Sequence, residues 1–172
     1  MNYQTVLYEA TKTLGDQLIK NPKLDCEILL SNTLKIKREK LLVNLKQEIN
    51  KKDLNNFNIL INRRKRKEPI AYIIGYKEFW KKKFMVNTNV LIPRPDTEHL
   101  VEEALKYIPE NSSLNILDIG TGSGCIILSI LNERNKCYGV ALDVSKKALI
   151  VAKYNAKMQQ IKNRIKFFNY DI

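Results

Sequence analysis

The sequence predicts an α/β protein: a small all-helical domain over residues 1–74, a β-hairpin and proline-rich connector over 75–96, and part of a doubly wound α/β domain over 97–172. Three observations predict this. Apolar residues recur at helical spacing through the first 66 residues. Residues 116–129, I-L-D-I-G-T-G-S-G-C-I-I-L-S, run from an apolar stretch through three alternate glycines into an apolar stretch free of Gly and Pro, the pattern of strand, tight turn and helix. Residues 136–143, K-C-Y-G-V-A-L-D, form a second short apolar run that ends in a carboxylate.

In chain order, residues 3–20 carry Val6, Leu7, Ala10, Leu14, Leu18 and Ile19 on one helical stripe, which Gly15 interrupts only mildly. Asn21-Pro22 makes a turn, and helices are expected over 24–34, 38–45 and 51–66. The last places Leu54, Phe57, Leu60 and Ile61 on one face and its basic residues at the C-terminal end, where the helix dipole favours them. Glu68-Pro69 stops it. No residue of this helical unit has a catalytic character, and partner recognition is its natural role.

Residues 71–91 change period. Tyr72, Ile73 and Ile74, then Phe79, Trp80, Phe84, Val86, Val90 and Leu91, surround Gly75 and a Lys81, Lys82, Lys83 run, the pattern of a hairpin with a basic tip. Tyr76, Phe79 and Trp80 suit core packing better than a stacking platform for a base. Next, L-I-P-R-P-D-T-E over 91–98 brackets Arg94 with two prolines, which fix two φ angles and remove two donors. Asp96 or Thr97 is then expected to cap a helix reaching to about Tyr107.

The glycine stretch holds the chemistry. Gly120, Gly122 and Gly124 permit positive φ and carry no Cβ, so a ligand can lie directly against main-chain N–H groups. The spacing departs from G-x-G-x-x-G, because Cys125 occupies the third glycine's position and Gly124 comes one residue early. Asp143 lies 19 residues after Gly124, at the end of the following strand, where an acidic side chain suits a ribose diol without a 2′-phosphate. Together these features indicate a nucleoside pocket.

Composition bounds the rest. No apolar run approaches a membrane span, residues 1–20 lack a signal-peptide core, and three cysteines without a C-x-x-C pair point to structural thiols in a reducing cytoplasm. The net charge of +12 invites a nucleic-acid partner. Against that, 23 Lys, 18 Asn and 20 Ile are what AT-rich coding yields whatever the partner, and only 7 of the 30 basic residues are Arg, the type suited to bidentate phosphate contacts. The dense runs at 63–67 and 81–83 read as solvated faces or as aids to encounter with an acidic partner.

The stretches R-K-R-K-E-P-I-A-Y-I-I-G-Y-K-E-F-W, V-L-I-P-R-P-D-T-E-H-L-V-E, I-L-D-I-G-T-G-S-G-C-I and A-L-D-V-S-K-K-A-L, in this order and spacing, resemble the release factor glutamine methyltransferase family. The resemblance covers nearly the whole chain and is weakest over the first ~60 residues; L-I-P-R-P-D-T-E is its most specific part. It implies a truncated Rossmann-like class I methyltransferase domain after the helical one. It also implies transfer of a methyl group from S-adenosylmethionine to the side-chain amide of the glutamine in the GGQ motif of peptide-chain release factors. On this resemblance Gly120, Thr121, Gly122, Ser123 and Gly124 line the cofactor, Asp143 holds its ribose, Asp171 falls near the adenine side, and residues 1–74 recognise the substrate.

One departure is large. The family's Asn-Pro-Pro-Tyr motif follows the fourth strand of its sheet, whereas residues 1–172 reach about the end of the third, and the only Asn-Pro is Asn21-Pro22. In the family, that motif accepts hydrogen bonds from the amide NH₂ and aims a poor nucleophile at the methyl group. The expectation is therefore a cytoplasmic, monomeric, truncated or split form, inactive alone, that binds S-adenosylmethionine and no metal and has no nameable catalytic residue. The alternatives are a methyltransferase for exocyclic amines in nucleic acid, which would suit the +12 charge but not L-I-P-R-P-D-T-E, and a non-catalytic remnant or binding module.

Overall fold

The computed structural model describes residues 1–171, and the chain divides into two compact units between Ile74 and Gly75. The first unit is five helices, α1 (Tyr3–Gly15), α2 (Pro22–Leu34), α3 (Arg38–Val43), α4 (Lys51–Lys65) and α5 (Ile70–Ile74). Asn2 opens α1 by accepting the Thr5 N–H at 2.9 Å, and Asn50 opens α4 by accepting the Asp53 N–H at 2.8 Å. Leu14, Leu29, Leu30, Leu41 and Phe57 form the fully buried centre of this bundle.

Two expectations change here. α1 stops at Gly15 instead of running to residue 20: Leu18 takes a φ of +56° and is exposed, while Ile19 turns back into the core. Tyr72, Ile73 and Ile74, read with the hairpin pattern of 71–91, lie in a helix, with the Tyr72 and Ile73 N–H groups bonded to the Pro69 carbonyl. A short apolar run has no period of its own, and the core around Ile73 decides its form.

The basic run at 63–67 also resolves into two kinds of residue. Arg64 donates through Nε to Asp25 Oδ2 at 2.7 Å, and Arg63 pairs with Glu68. Arg38 donates to Glu27 Oε2 at 2.7 Å. Asp25 and Glu27 are buried on α2, so each requires a cation beside it. Arg64 is therefore an internal tie, Arg63 is held at the surface by Glu68, and Arg66 and Lys67 are exposed.

The second unit opens with a hairpin, β1 (Tyr76–Phe79) and β2 (Lys82–Met85), paired antiparallel. Its tip is Trp80-Lys81 and not the lysine run, since Lys82 and Lys83 belong to β2. Both tip residues have positive φ, +48° and +58°, the pattern of a type I′ turn that usually holds Asn-Gly. Glu98 compensates by accepting the Trp80 N–H at 2.8 Å, and Glu133 accepts the Trp80 indole N–H at 2.8 Å. Phe79 and Phe84 are buried edge to face with centroids 5.9 Å apart, and Lys83 lies over the Tyr76 ring.

A 3-10 turn at Pro95–Thr97 leads into α6 (Glu98–Tyr107), and neither Asp96 nor Thr97 makes the expected side-chain cap. Then follow β3 (Asn115–Ile119), α7 (Cys125–Glu133), β4 (Tyr138–Asp143), α8 (Lys146–Met158) and β5 (Ile165–Asn169). The three strands are parallel in the order β3-β4-β5, with Asp118, Ala141 and Phe167 in register. The face bearing Ile116, Ala141, Ile165 and Phe167 packs into one core with α6, α7 and the hairpin phenylalanines. Alternate residues Leu117, Ile119, Tyr138 and Phe168 are exposed, so among the described residues helices cover only one face of a sheet that a doubly wound fold covers on both. No helix among them is long and apolar enough to cross a membrane.

Replacing Arg64 with Ala strands the Asp25 carboxylate in the helical unit. Urea unfolding of the chain should register a loss of about 2–3 kcal/mol at neutral pH. A loss under about 0.5 kcal/mol would show that Asp25 needs no cation.

Candidate functional site

β3 delivers the chain into the loop 120–124, and the three glycines there have φ of +73°, +55° and +80°. They do two different jobs. A Cβ on Gly120 would meet nothing within 4 Å and one on Gly122 only the Gly120 carbonyl oxygen at 4.0 Å, so this stretch of main chain borders open space. A Cβ on Gly124 would stand 3.0 Å from Leu128 Cδ1 and 3.4 Å from the Ala152 Cβ. Gly124 thus lets α7 start against α8, the close-packing task of the fingerprint's third glycine.

The loop is fastened to the end of β4. The Gly120 and Thr121 N–H groups both donate to the Leu142 carbonyl at 2.9 Å, and the Gly122 N–H donates to Asp143 Oδ2 at 2.8 Å. Asp143 Oδ1 accepts the Ser145 N–H at 2.8 Å. Each carboxylate oxygen offers about two acceptor directions, so each keeps one for a ligand. Thr121 and Ser123 are buried, with the Thr121 hydroxyl donating to Asp118 Oδ2 at 2.8 Å. Asp171 is exposed two residues beyond Asn169, the register partner of Asp143.

Asp118 was absent from the candidates drawn from sequence. Burial pushes its carboxyl above the ordinary range; the Thr121 hydroxyl and the Ile127 N–H draw it down, and nearby Asp143 adds to the rise. The Ile127 bond makes Asp118 an acceptor for the first turn of α7, whose N-cap, Gly124, has no side chain to offer. The available signal was a carboxylate two residues before the first glycine in an otherwise apolar strand. Burial also pushes the Cys125 thiol up, so it is no ready nucleophile. Arg94 is exposed between its prolines.

A parallel sheet with a glycine turn after one strand and an acidic residue ending the next is the arrangement of a Rossmann-like domain. Two family models match: "PrmC N-terminal domain" over residues 5–75 and "Methyltransferase small domain" over residues 97–172. The chain belongs to the release factor glutamine methyltransferase family. It is 44% identical over 158 residues to the release factor glutamine methyltransferase of Coxiella burnetii, covering 90% of this chain and 57% of that protein. It is 43% identical over 143 residues to the one from Buchnera aphidicola subsp. Baizongia pistaciae, covering 83% and 52%. With the Caulobacter vibrioides protein it shares 37% identity over 162 residues, 94% of this chain and 56% of that one. The chain thus spans a little over half the length of these relatives.

Because the fold holds the Asp118 carboxyl above its unfolded value, this group contributes stability below about pH 4 that is lost as pH rises through the raised value. Asp118→Asn stays neutral throughout. Its stability relative to the unsubstituted chain should therefore improve between pH 4 and pH 7 in urea titrations, and a difference that does not change with pH would refute the assignment.

Proposed function

We propose that this chain supplies the substrate-recognition domain, residues 1–74, and the cofactor half of an S-adenosylmethionine-dependent enzyme. That enzyme methylates the side-chain amide nitrogen of the glutamine in the GGQ motif of peptide-chain release factors. The observation that carries this reading is that similarity to proteins of that name runs through both units, over 90% of the chain for the Coxiella burnetii relative. The chain is read as acting as a monomer in the cytoplasm, where its three buried, free cysteines stay reduced.

The residues present fit the cofactor. Gly120 and Gly122 leave main chain bare beside open space, and Asp143 keeps an acceptor direction on each oxygen for the two ribose hydroxyls. Gly120, Thr121, Gly122, Ser123 and Gly124 would line it, and Asp171 would face its adenine side. When bound, S-adenosylmethionine supplies an electrophilic methyl group on a sulfonium. The protein's part is binding and orientation: the loop fixes the nucleoside end, and the carboxylate of Asp143 excludes a 2′-phosphate by charge. An amide nitrogen must be aimed because its lone pair is delocalised. No residue of this chain is assigned that task.

Asp143→Ala removes a charge-assisted pair of bonds and also releases Gly122. Calorimetry should show S-adenosylmethionine affinity falling by roughly 10- to 150-fold, equivalent to about 1.5–3 kcal/mol, with NADP failing to compete in the unsubstituted protein. Unchanged affinity would remove Asp143 from the site. In a radiolabel transfer assay with a release factor bearing GGQ, the 172-residue chain should stay at background. Turnover would place the aiming group among the residues described above.

A further inference from the structure

Asn155, in the last turn of α8, is almost wholly buried and uses its amide in three directions. Its Oδ1 accepts the Met85 N–H at 2.7 Å, and its Nδ2 donates to the Met85 carbonyl at 3.0 Å. The same Nδ2 donates to the Ser123 carbonyl at 2.9 Å. Met85 is the last residue of β2. The next residue, Val86, gives its N–H to the Gly75 carbonyl at the hairpin's base, so the Met85 main chain points away from β1 and would otherwise lack a partner. The Asn155 amide stands in for a neighbouring strand on that edge, and its third bond lies in the glycine loop.

The loop amides Gly120, Thr121, Gly122 and Gly124 are held from the β4 side or within the loop itself. Among the described residues the Ser123 carbonyl accepts from Asn155, and this bond comes from α8, through the side chain that also holds Met85 of the hairpin. We infer that Asn155 is the positioning residue of the loop: it fixes the Ser123 peptide against the hairpin, so that β2 and the ligand-facing loop order and loosen together. Loop geometry is thereby set by a segment 35 residues or more away in sequence, itself pinned at its tip to α6 and α7 through Trp80. In its consequence for affinity the inference rests on the cofactor reading given above; in its structural content it does not.

The test is residue-resolved hydrogen exchange on the full chain, comparing unsubstituted protein, Asn155→Asp, Asn155→Ala and Val151→Ala. Val151 is a buried α8 residue and serves as a packing control. Asn155→Asp keeps an acceptor for Met85 but loses both donors. In both Asn155 variants the Gly122 and Gly124 amides should exchange about tenfold faster relative to the β4 amide of Val140, one lost hydrogen bond's worth. In Val151→Ala the loop and β4 should shift by the same factor. Loop amides that track Val140 in the Asn155 variants would overturn the inference. Should neither variant fold, the unsubstituted chain decides: with rising urea, Met85, Gly122 and Gly124 should share a single opening, and separate openings would overturn it. S-adenosylmethionine should bind Asn155→Asp about tenfold more weakly and Val151→Ala unchanged; equal affinities would refute the loop role. If the unsubstituted chain binds no S-adenosylmethionine, the cofactor reading fails, while the exchange result still judges Asn155.

Discussion

The bond from the Gly122 N–H to Asp143 Oδ2 is the contact on which the shape of the glycine loop of the second unit depends. It joins the turn after β3 to the last residue of β4, so the side chain suited to a ribose also holds the backbone suited to the rest of the ligand. Positive φ at Gly120, Gly122 and Gly124 lets the turn reach that carboxylate. A non-glycine residue at Gly122 would be strained whatever space surrounds it. Asp118 supports the same turn from below, spending its acceptor capacity on the Thr121 hydroxyl and the first turn of α7. Two half-buried carboxylates therefore divide the work, Asp118 tying the turn to Thr121 and Asp143 keeping acceptor directions free.

In the helical unit, charge works inward before it works outward. α2 is only weakly amphipathic because it buries Asp25 and Glu27 together with Leu29 and Leu30. The arginines answering them come from α3 and α4, so these pairs fix how α2 meets its neighbours. Pairs of this kind add little net stability over apolar packing but are costly to break singly. A chain with +12 net charge can thus commit arginines to carboxylates of its own core. That weakens a nucleic-acid reading built on the 63–67 run more than the count of basic residues alone would indicate.

The glycine turn, the terminal Asp143, the helical unit and the hairpin were legible in the sequence because each has a local signature: alternate glycines, a strand-end carboxylate, helical spacing and paired aromatics. What escaped lay in long-range contacts. The type I′ turn at Trp80-Lys81 contradicts local turn chemistry and is held by Glu98 and Glu133, residues that look like ordinary solvated helix acids. Helix 70–74 was hidden because an apolar run of five has no period, and the early stop at Gly15 because the stripe continued through Leu18, which turns outward. Asn155, an Asn in the last turn of a helix, is unfavourable by propensity and carried no motif; its value appears only once Met85 and Ser123 are beside it.

The two faces of the sheet complete this picture. Helices α6–α8 and the hairpin lie with the face of Ile116, Ala141 and Ile165, and their shared core supplies the apolar burial of the second unit. Leu117, Ile119, Tyr138 and Phe168 stand exposed on the other face, and β3 pairs only with β4 among the described residues. An open strand edge beside an exposed apolar face is a template for further pairing. The glycine loop follows β3, so on the side away from β4 no strand among the described residues restrains it. Its restraint comes from β4, through the Leu142 carbonyl and Asp143, and from α8 through Asn155, which ties the Ser123 peptide to the hairpin's Met85 and so gives a loop on an edge strand one definite shape.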